Sequence, residues 1–256
     1  MGFEIPMILL QQLTVTYPGA SRPALLPTSL SFQAGELVVL LGASGAGKST
    51  LLRAINMLTK PTAGELKVNG QVINSERLLR QHRRDSAMIF QQHQLLPQKS
   101  ALHNVLLGRL SYYSSLRTLL PMSVADKKLA LHCLERVGLL ESALERVDRL
   151  SGGQQQRVGI ARALAQQPKV ILADEPVASL DPVTSRQVLD LLYAICKEDG
   201  ITTIVSLHQL ALAKQFAERI VALSHGEVVF DGPLGELSDS QVLSIYSQTQ
   251  CSALPL

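Results

Sequence analysis

The chain has 256 residues, 46% hydrophobic and 18% charged, a balance that suits a folded domain and excludes a chain disordered over most of its length. A net charge of +3 is too small to argue for a nucleic-acid partner. Three cysteines, Cys133, Cys196 and Cys251, stand far apart in no CxxC spacing and read as reduced, packed thiols of a cytoplasmic protein.

The opening segment MGFEIPMILLQQL has no basic start and breaks at Pro6 and Gln11, so it does not read as a secretory signal. No apolar run approaches the roughly 18–20 residues of a membrane helix. The protein is therefore expected to be soluble by itself and to reach a membrane through a partner. Further along, Leu37–Leu41 (LVVLL) is a continuous apolar run, as in a strand buried on both faces. A Gly-rich turn follows, then KSTLLRAINML, which reads as a helix. Glu65–Val68 reads as a strand ending at the turn signal Asn69-Gly70. Ala87–Phe90 is a further buried strand. Ala130, Cys133, Leu134 and Val137 fall at helical spacing, with Gly138 as their stop. Val170–Ala173 is again a strand, and Val188, Leu191, Leu192 and Ile195 form a helical stripe ending near Gly200. Thr202–Ser206 and Ile220–Leu223 are the next strands, and His225-Gly226 turns the chain into Glu227–Phe230. The alternation implies an α/β domain with a mostly parallel central sheet, antiparallel strands near the ends, a helical subdomain at about 95–165 and a short tail from about 235.

Gly42-Ala43-Ser44-Gly45-Ala46-Gly47-Lys48-Ser49-Thr50 fits G-x-x-x-x-G-K-[ST], with a buried strand before it and a helix after it. Glycines let successive backbone N–H groups face phosphate oxygens, and the helix presents its positive end to the anion. Lys48 then places a compact charge on the β- and γ-phosphates, and the Ser49 hydroxyl is the expected Mg2+ ligand. Downstream, KVILADE is a buried strand ending in two acids, which delivers both carboxylates to the sheet edge where ligands bind. Asp174 is expected to hold Mg2+, and Glu175 to polarise the attacking water as general base.

A third motif narrows the class. Leu150-Ser151-Gly152-Gly153-Gln154 opens a helix whose apolar positions are Val158, Ala161, Leu164 and Ala165. Ser and Gly at a helix start leave N–H groups for a phosphate. Since the chain already has its own phosphate loop, a second such start suggests a second nucleotide, contacted in trans.

LSGGQ, in this order after the phosphate loop, resembles the ABC-transporter ATPase family, and the resemblance runs from about residue 8 to residue 232. It implies the P-loop ABC ATPase fold in a single domain, 1–256, with ATP and Mg2+ as cofactors. It further implies that Tyr17, in LTVTYPG, stacks on adenine and that Gln91, in MIFQQ, links Mg2+ to the membrane-domain interface. The same resemblance implies that Asp181, in SLD, belongs to a loop crossing the dimer interface and that His208, in VSLHQ, contacts the γ-phosphate. Each residue alone has a plainer reading: Tyr17 as a strand aromatic, Gln91 as a polar strand end, His208 as a structural histidine. Ala43 stands where many relatives have proline, at a position that needs no side-chain chemistry. The implied mechanism is a head-to-tail homodimer holding two ATPs, each cradled by one subunit and covered by Ser151 and Gly153 of the other.

QQQRVGIARALAQQPKVILADEPVASLDP, TSRQVLDLL, EDGITTIVSLHQ and RIVALSHGEVVFDG resemble the ATP-binding subunit of bacterial phosphonate importers. That resemblance implies two transmembrane permease subunits, a periplasmic solute-binding protein that chooses the cargo, and a peripheral position on the cytoplasmic face of the inner membrane. Phosphite, hypophosphite or another oxyanion is the alternative cargo, and a non-transport ABC ATPase docked on a phosphonate-metabolising complex is the alternative class. A P-loop kinase is disfavoured by LSGGQ. The segment 106–122 carries Gly-Arg-Leu and an insert. Its Tyr112, Tyr113, Leu116, Leu119 and Leu120 read either as helical core or as part of a permease groove, and Arg109 and Arg117 read as solvated.

Overall fold

The computed structural model describes residues 5–92, 94–113 and 121–246. Leu116, Arg117, Leu119, Leu120 and Cys251 lie outside the described residues. In chain order the elements are β1 (Ile8–Val15), β2 (Leu25–Phe32), β3 (Leu37–Leu41), α1 (Lys48–Ile55), β4 (Ala63–Val68), β5 (Gln71–Val72), α2 (Glu76–Asp85) and β6 (Ser86–Ile89). They continue as α3 (Ala101–Leu106), α4 (Val124–Arg136), α5 (Gly152–Ala165), β7 (Val170–Asp174), α6 (Pro182–Asp199), β8 (Thr202–Leu207), α7 (Leu210–Phe216), β9 (Arg219–Ser224), β10 (Glu227–Pro233) and α8 (Asp239–Tyr246). The chain divides into two compact units, one of Met1–His82 with Thr202–Leu256, the other of Arg83–Ile201.

The first unit holds an antiparallel sheet in the order β2-β1-β4-β5 and a second arrangement in the order β10-β9-β3-β8. In the latter β3 runs parallel to both β8 and β9, and β10 returns antiparallel to β9. Every residue of β3 and of β8 is buried, which is why both read as unbroken apolar or small-residue runs rather than alternating ones. β10, on the edge, alternates exposed and half-buried positions. Its turn from β9 places His225 and Gly226 at φ 50° and 81°, the left-handed pair that a two-residue hairpin requires. Arg219 ties this unit together: Nε donates to Asp231 at 2.6 Å, and Nη1 to Glu36 at 3.0 Å and to the Ser31 carbonyl at 2.9 Å.

In the second unit β6 and β7 form a parallel pair, and α3, α4 and α5 pack on one another. α6 is bracketed as its sequence suggests. Asp181 caps it, Pro182 opens it, and Gly200 closes it at φ 64°. α4 is opened by Ser123 and followed by Gly138 at φ 71°. Cys133 and Cys196 are buried. One reading is corrected here: Arg109 is not solvated. Its side chain is only 12% exposed and is paired with Asp126 at 2.8 Å. Among the described residues no helix is long and apolar enough to cross a membrane.

Candidate functional site

In the first unit, parallel pairing aligns Leu41 of β3 with Leu207 of β8. The next residue on each strand is Gly42 and His208. The same sheet edge therefore issues both the phosphate loop and the histidine, as a shared C-terminal edge of parallel strands should. The loop ends at Gly47, which caps α1 at φ 104°, and a Cβ there would fall 3.0 Å from the Ala24 carbonyl oxygen. Only glycine fits that turn. Lys48 is buried, and its Nζ donates to the carbonyls of Gly42 at 2.8 Å and Ala43 at 3.0 Å, seating the ammonium within the loop's own curl. Ala46 and Thr50 are buried, Ser44 and Gly45 are exposed, and Ser49 is half-buried. Tyr17 is 36% exposed, and its hydroxyl lies 3.3 Å from the Thr50 hydroxyl, which holds the side chain beside the loop while leaving it partly open to solvent. His208 is exposed.

In the second unit, pairing aligns Ile89 of β6 with Ala173 of β7. Gln91 and Glu175 each lie two residues past that pair, so both leave at one edge, with Asp174 as the last residue of β7. Asp174 is buried, Glu175 half-buried and Gln91 exposed. Glu175 has φ 45°, in the left-handed region that a non-glycine residue adopts at a cost of about 1 kcal/mol or more. Such strain is held where the surrounding chain dictates the direction of a side chain.

Ser151 caps α5 with a reciprocal box. Its Oγ accepts from the Gln154 N–H at 3.3 Å, and its own N–H donates to Gln154 Oε1 at 2.9 Å. The Ser151 hydroxyl keeps its O–H as a donor. The Asp181 carboxylate accepts from the N–H groups of Val183 and Thr184, both at 3.0 Å. A hydrogen bond from the Thr184 side chain foremost, then these N–H groups, hold its carboxyl below the usual range. Gly152 and Gly153 stand beside this loop: a Cβ on Gly152 would fall 3.3 Å from Leu180, and one on Gly153 2.5 Å from Thr184. The sequence motifs gave no sign of this contact, nor of Tyr246, whose hydroxyl donates to the His208 carbonyl at 2.9 Å.

A strand–loop–helix turn around Lys48 and a serine-capped Gly-Gly helix start are features of an ATPase cassette, and that is the class of this protein. A family model described as ABC transporter matches residues 25–178, and the chain belongs to that family. It is 56% identical over 245 residues to the phosphonates import ATP-binding protein PhnC 3 of Nostoc sp. (strain PCC 7120 / SAG 25.82 / UTEX 2576), covering 95% of this chain and 93% of that one. It is 58% identical over 241 residues to the phosphite import ATP-binding protein PxtA of Stutzerimonas stutzeri, covering 94% and 87%. A solved dimeric structure of MJ0796, a bacterial ABC transporter cassette, matches with a TM-score of 0.77 and 40% identity, over 89% of this chain and 99% of that one. MJ0796 has also been solved as a dimer in a post-hydrolysis state bound to ADP and Pi. The fold is that of an ABC ATPase, and the chain is an ATP hydrolase of the transport type.

Proposed function

We propose that this chain energises the uptake of phosphonates. It would work as a homodimer bound to two membrane-spanning permease subunits on the cytoplasmic face of a bacterial inner membrane, with a periplasmic binding protein selecting the cargo. The observation that carries this reading is the likeness, across 95% of the chain, to a relative named for phosphonate import. A second reading, phosphite uptake, is favoured by the 58% identity to a protein named for that cargo. Cargo does not touch an ATPase subunit, so both readings share one mechanism.

In that mechanism Tyr17 stacks on the adenine, and the N–H groups of Gly42 to Thr50 surround the phosphates. Lys48 neutralises charge on the β- and γ-phosphates. A hydroxyl and a carboxylate, Ser49 and Asp174, suit Mg2+, which takes few protein oxygens and completes its shell with phosphate and water. When bound, Mg2+ neutralises charge developing on the transferred phosphoryl group. Glu175 takes a proton from the attacking water, His208 donates toward the γ-phosphate, and Gln91 reports the state of the site to the permease. The Ser151 hydroxyl and the N–H groups at Gly152 and Gly153, with Gln154 locked in the cap, cover the partner's ATP, and the Asp181 loop crosses the dimer interface beside them.

Two experiments test this. Glu175→Gln should keep ATP binding, block turnover and trap a dimer; steady-state hydrolysis within a few-fold of the parent would remove Glu175 as the base. Deletion of the gene in its host should abolish growth on methylphosphonate but not on orthophosphate, with rescue by the parent and not by Lys48→Ala. Loss on phosphite alone would move the cargo to reduced inorganic phosphorus. Unchanged growth on all three sources would sink the phosphorus cargo.

A further inference from the structure

The Gly108-Arg109 pair has no part in the chemistry above, yet it grips the C-terminal end of α5. Gly108 lies so close to that helix that a Cβ would fall 2.2 Å from the Arg162 carbonyl oxygen. Arg109 Nη1 donates to the Ala165 carbonyl and to Gln167 Oε1, both at 3.0 Å, while Nε donates to Asp126 on α4 at 2.8 Å. The guanidinium stacks 3.9 Å from the centre of the Tyr112 ring, and the Tyr112 hydroxyl donates to the Gln166 carbonyl at 2.9 Å. Gln166 Nε2 in turn donates to the carbonyls of Arg83 and Arg84 at 2.8 Å and of Ser86 at 3.2 Å, tying the same helix end to the start of β6.

The last carbonyls of a helix lack partners within it, and a cation there also meets the negative end of the helix dipole. A planar fork lets one arginine serve several acceptors at once, which a lysine ammonium does less rigidly. The far end of α5 is therefore set by α4, by the turn holding Tyr112 and by β6. Over its 14 residues α5 is about 21 Å long, so a tilt of about 3° at this end moves the other by about 1 Å. The other end carries Ser151 and Gly153. A misplacement of about 1 Å at a reacting site costs on the order of 100-fold.

We propose that Arg109 is a positioning residue for the ATP-driven pairing of two copies of this chain: it aims the start of α5 at the nucleotide held by the partner copy. This rests on the reading that Ser151 and Gly153 cover that nucleotide.

The test compares Arg109→Ala and Arg109→Lys, each in a Glu175→Gln background, by two measurements. One is the affinity of a fluorescent ATP analogue for the monomer. The other is the MgATP concentration that half-converts monomer to dimer by light scattering. Monomer affinity should stay within about twofold, while the half-conversion concentration should rise roughly tenfold for Arg109→Ala and less for Arg109→Lys, which restores charge without the fork. If Arg109→Ala does not fold, Tyr112→Phe, which removes only the bond to Gln166, should raise it by roughly threefold. A folded Arg109→Ala that dimerises at the parent's ATP concentration overturns the proposal. So does a parallel loss of monomer affinity, which would mark a general structural role. If the Glu175→Gln parent itself stays monomeric with ATP, the reading of Ser151 and Gly153 has failed instead.

Discussion

The Tyr246 hydroxyl donates to the main-chain carbonyl of His208 at 2.9 Å, so the last described residue of α8 holds the loop that carries the proposed γ-phosphate contact. Burial pushes the Tyr246 phenol up to about 12, which keeps it protonated and a donor throughout the working range. Tyr246→Phe removes that bond, worth about 0.5–1.5 kcal/mol. If the bond fixes His208 during hydrolysis, kcat should fall by roughly two- to tenfold with ATP affinity unchanged. An unchanged kcat, with a lower melting temperature, would assign the bond to seating α8 alone.

Asp126 gives a pH prediction. Burial pushes its carboxyl up, but hydrogen bonds from Ser123, Tyr113 and Arg109, with the Arg109 charge, outweigh that and lower it to about 2. A group whose pKa is depressed on folding contributes stability above its unfolded value and loses it as pH falls through the folded one. The contribution, about 2 kcal/mol, is thus present at neutral pH and fades between about pH 4 and pH 2. Asp126→Asn should be less stable than the parent in urea titrations at pH 7, by about that amount or more, and the gap should close as the pH is lowered through that window. A gap independent of pH would mean that shape, not charge, holds the Arg109 contact.

The parts of the fold legible in the sequence are those with an unambiguous local cause. LVVLL, VILA and TTIVS are buried on both faces, so no periodicity had to be resolved. α6 carries its own Asp-Pro start and Gly stop. α2 was not legible because ERLLRQHRRD offers only Leu78 and Leu79 as apolar residues among charged ones; among its residues only His82 is buried, with Nε2 2.6 Å from the Ile55 carbonyl oxygen. β1 hides its alternation behind register shifts between Leu10 and Val15, and β2 contains Pro27, a residue that argues against a strand. The candidate site was legible for a related reason: a phosphate loop, a pair of acids and a Gly-Gly helix start need particular residues at fixed spacing in one stretch. The contacts of Arg109 with Ala165 and of Tyr246 with His208 join residues 56 and 38 positions apart, and only packing brings those together.

Cys133 offers a probe of the second unit. It is 4% exposed, and burial pushes its thiol up to about 11. Thiolate is the reactive form, so at about pH 8 the native thiol should react with a disulfide reagent roughly 100-fold or more below an ordinary cysteine, and faster only through opening of the fold. In a Cys251→Ser, Cys196→Ser background the modification rate should rise with urea. A fast rate in buffer, with the melting temperature of the variant intact, would show that α4 opens readily around Cys133.

Gly153 and Thr184 join the two segments proposed to meet the partner copy. A Cβ on Gly153 would lie 2.5 Å from Thr184 Cγ2, and Thr184 gives its N–H to the Asp181 carboxylate. The start of α5 therefore cannot gain a methyl without pushing on the start of α6. Gly153→Ala should cost about 1–3 kcal/mol by overpacking. Thr184→Ser deletes the opposing methyl and keeps the backbone cap, so Gly153→Ala with Thr184→Ser should recover most of that loss, with a coupling of about 1 kcal/mol or more in a double-mutant cycle by urea denaturation. ATP hydrolysis separates packing from phosphate contact. If the recovered double variant also regains turnover, Gly153 is glycine to make room for Thr184. If stability returns and turnover does not, the added methyl also obstructs the approach of the partner's phosphate. Additive stability losses would show that the two residues do not press on each other, and would remove this link between the α5 start and the Asp181 loop.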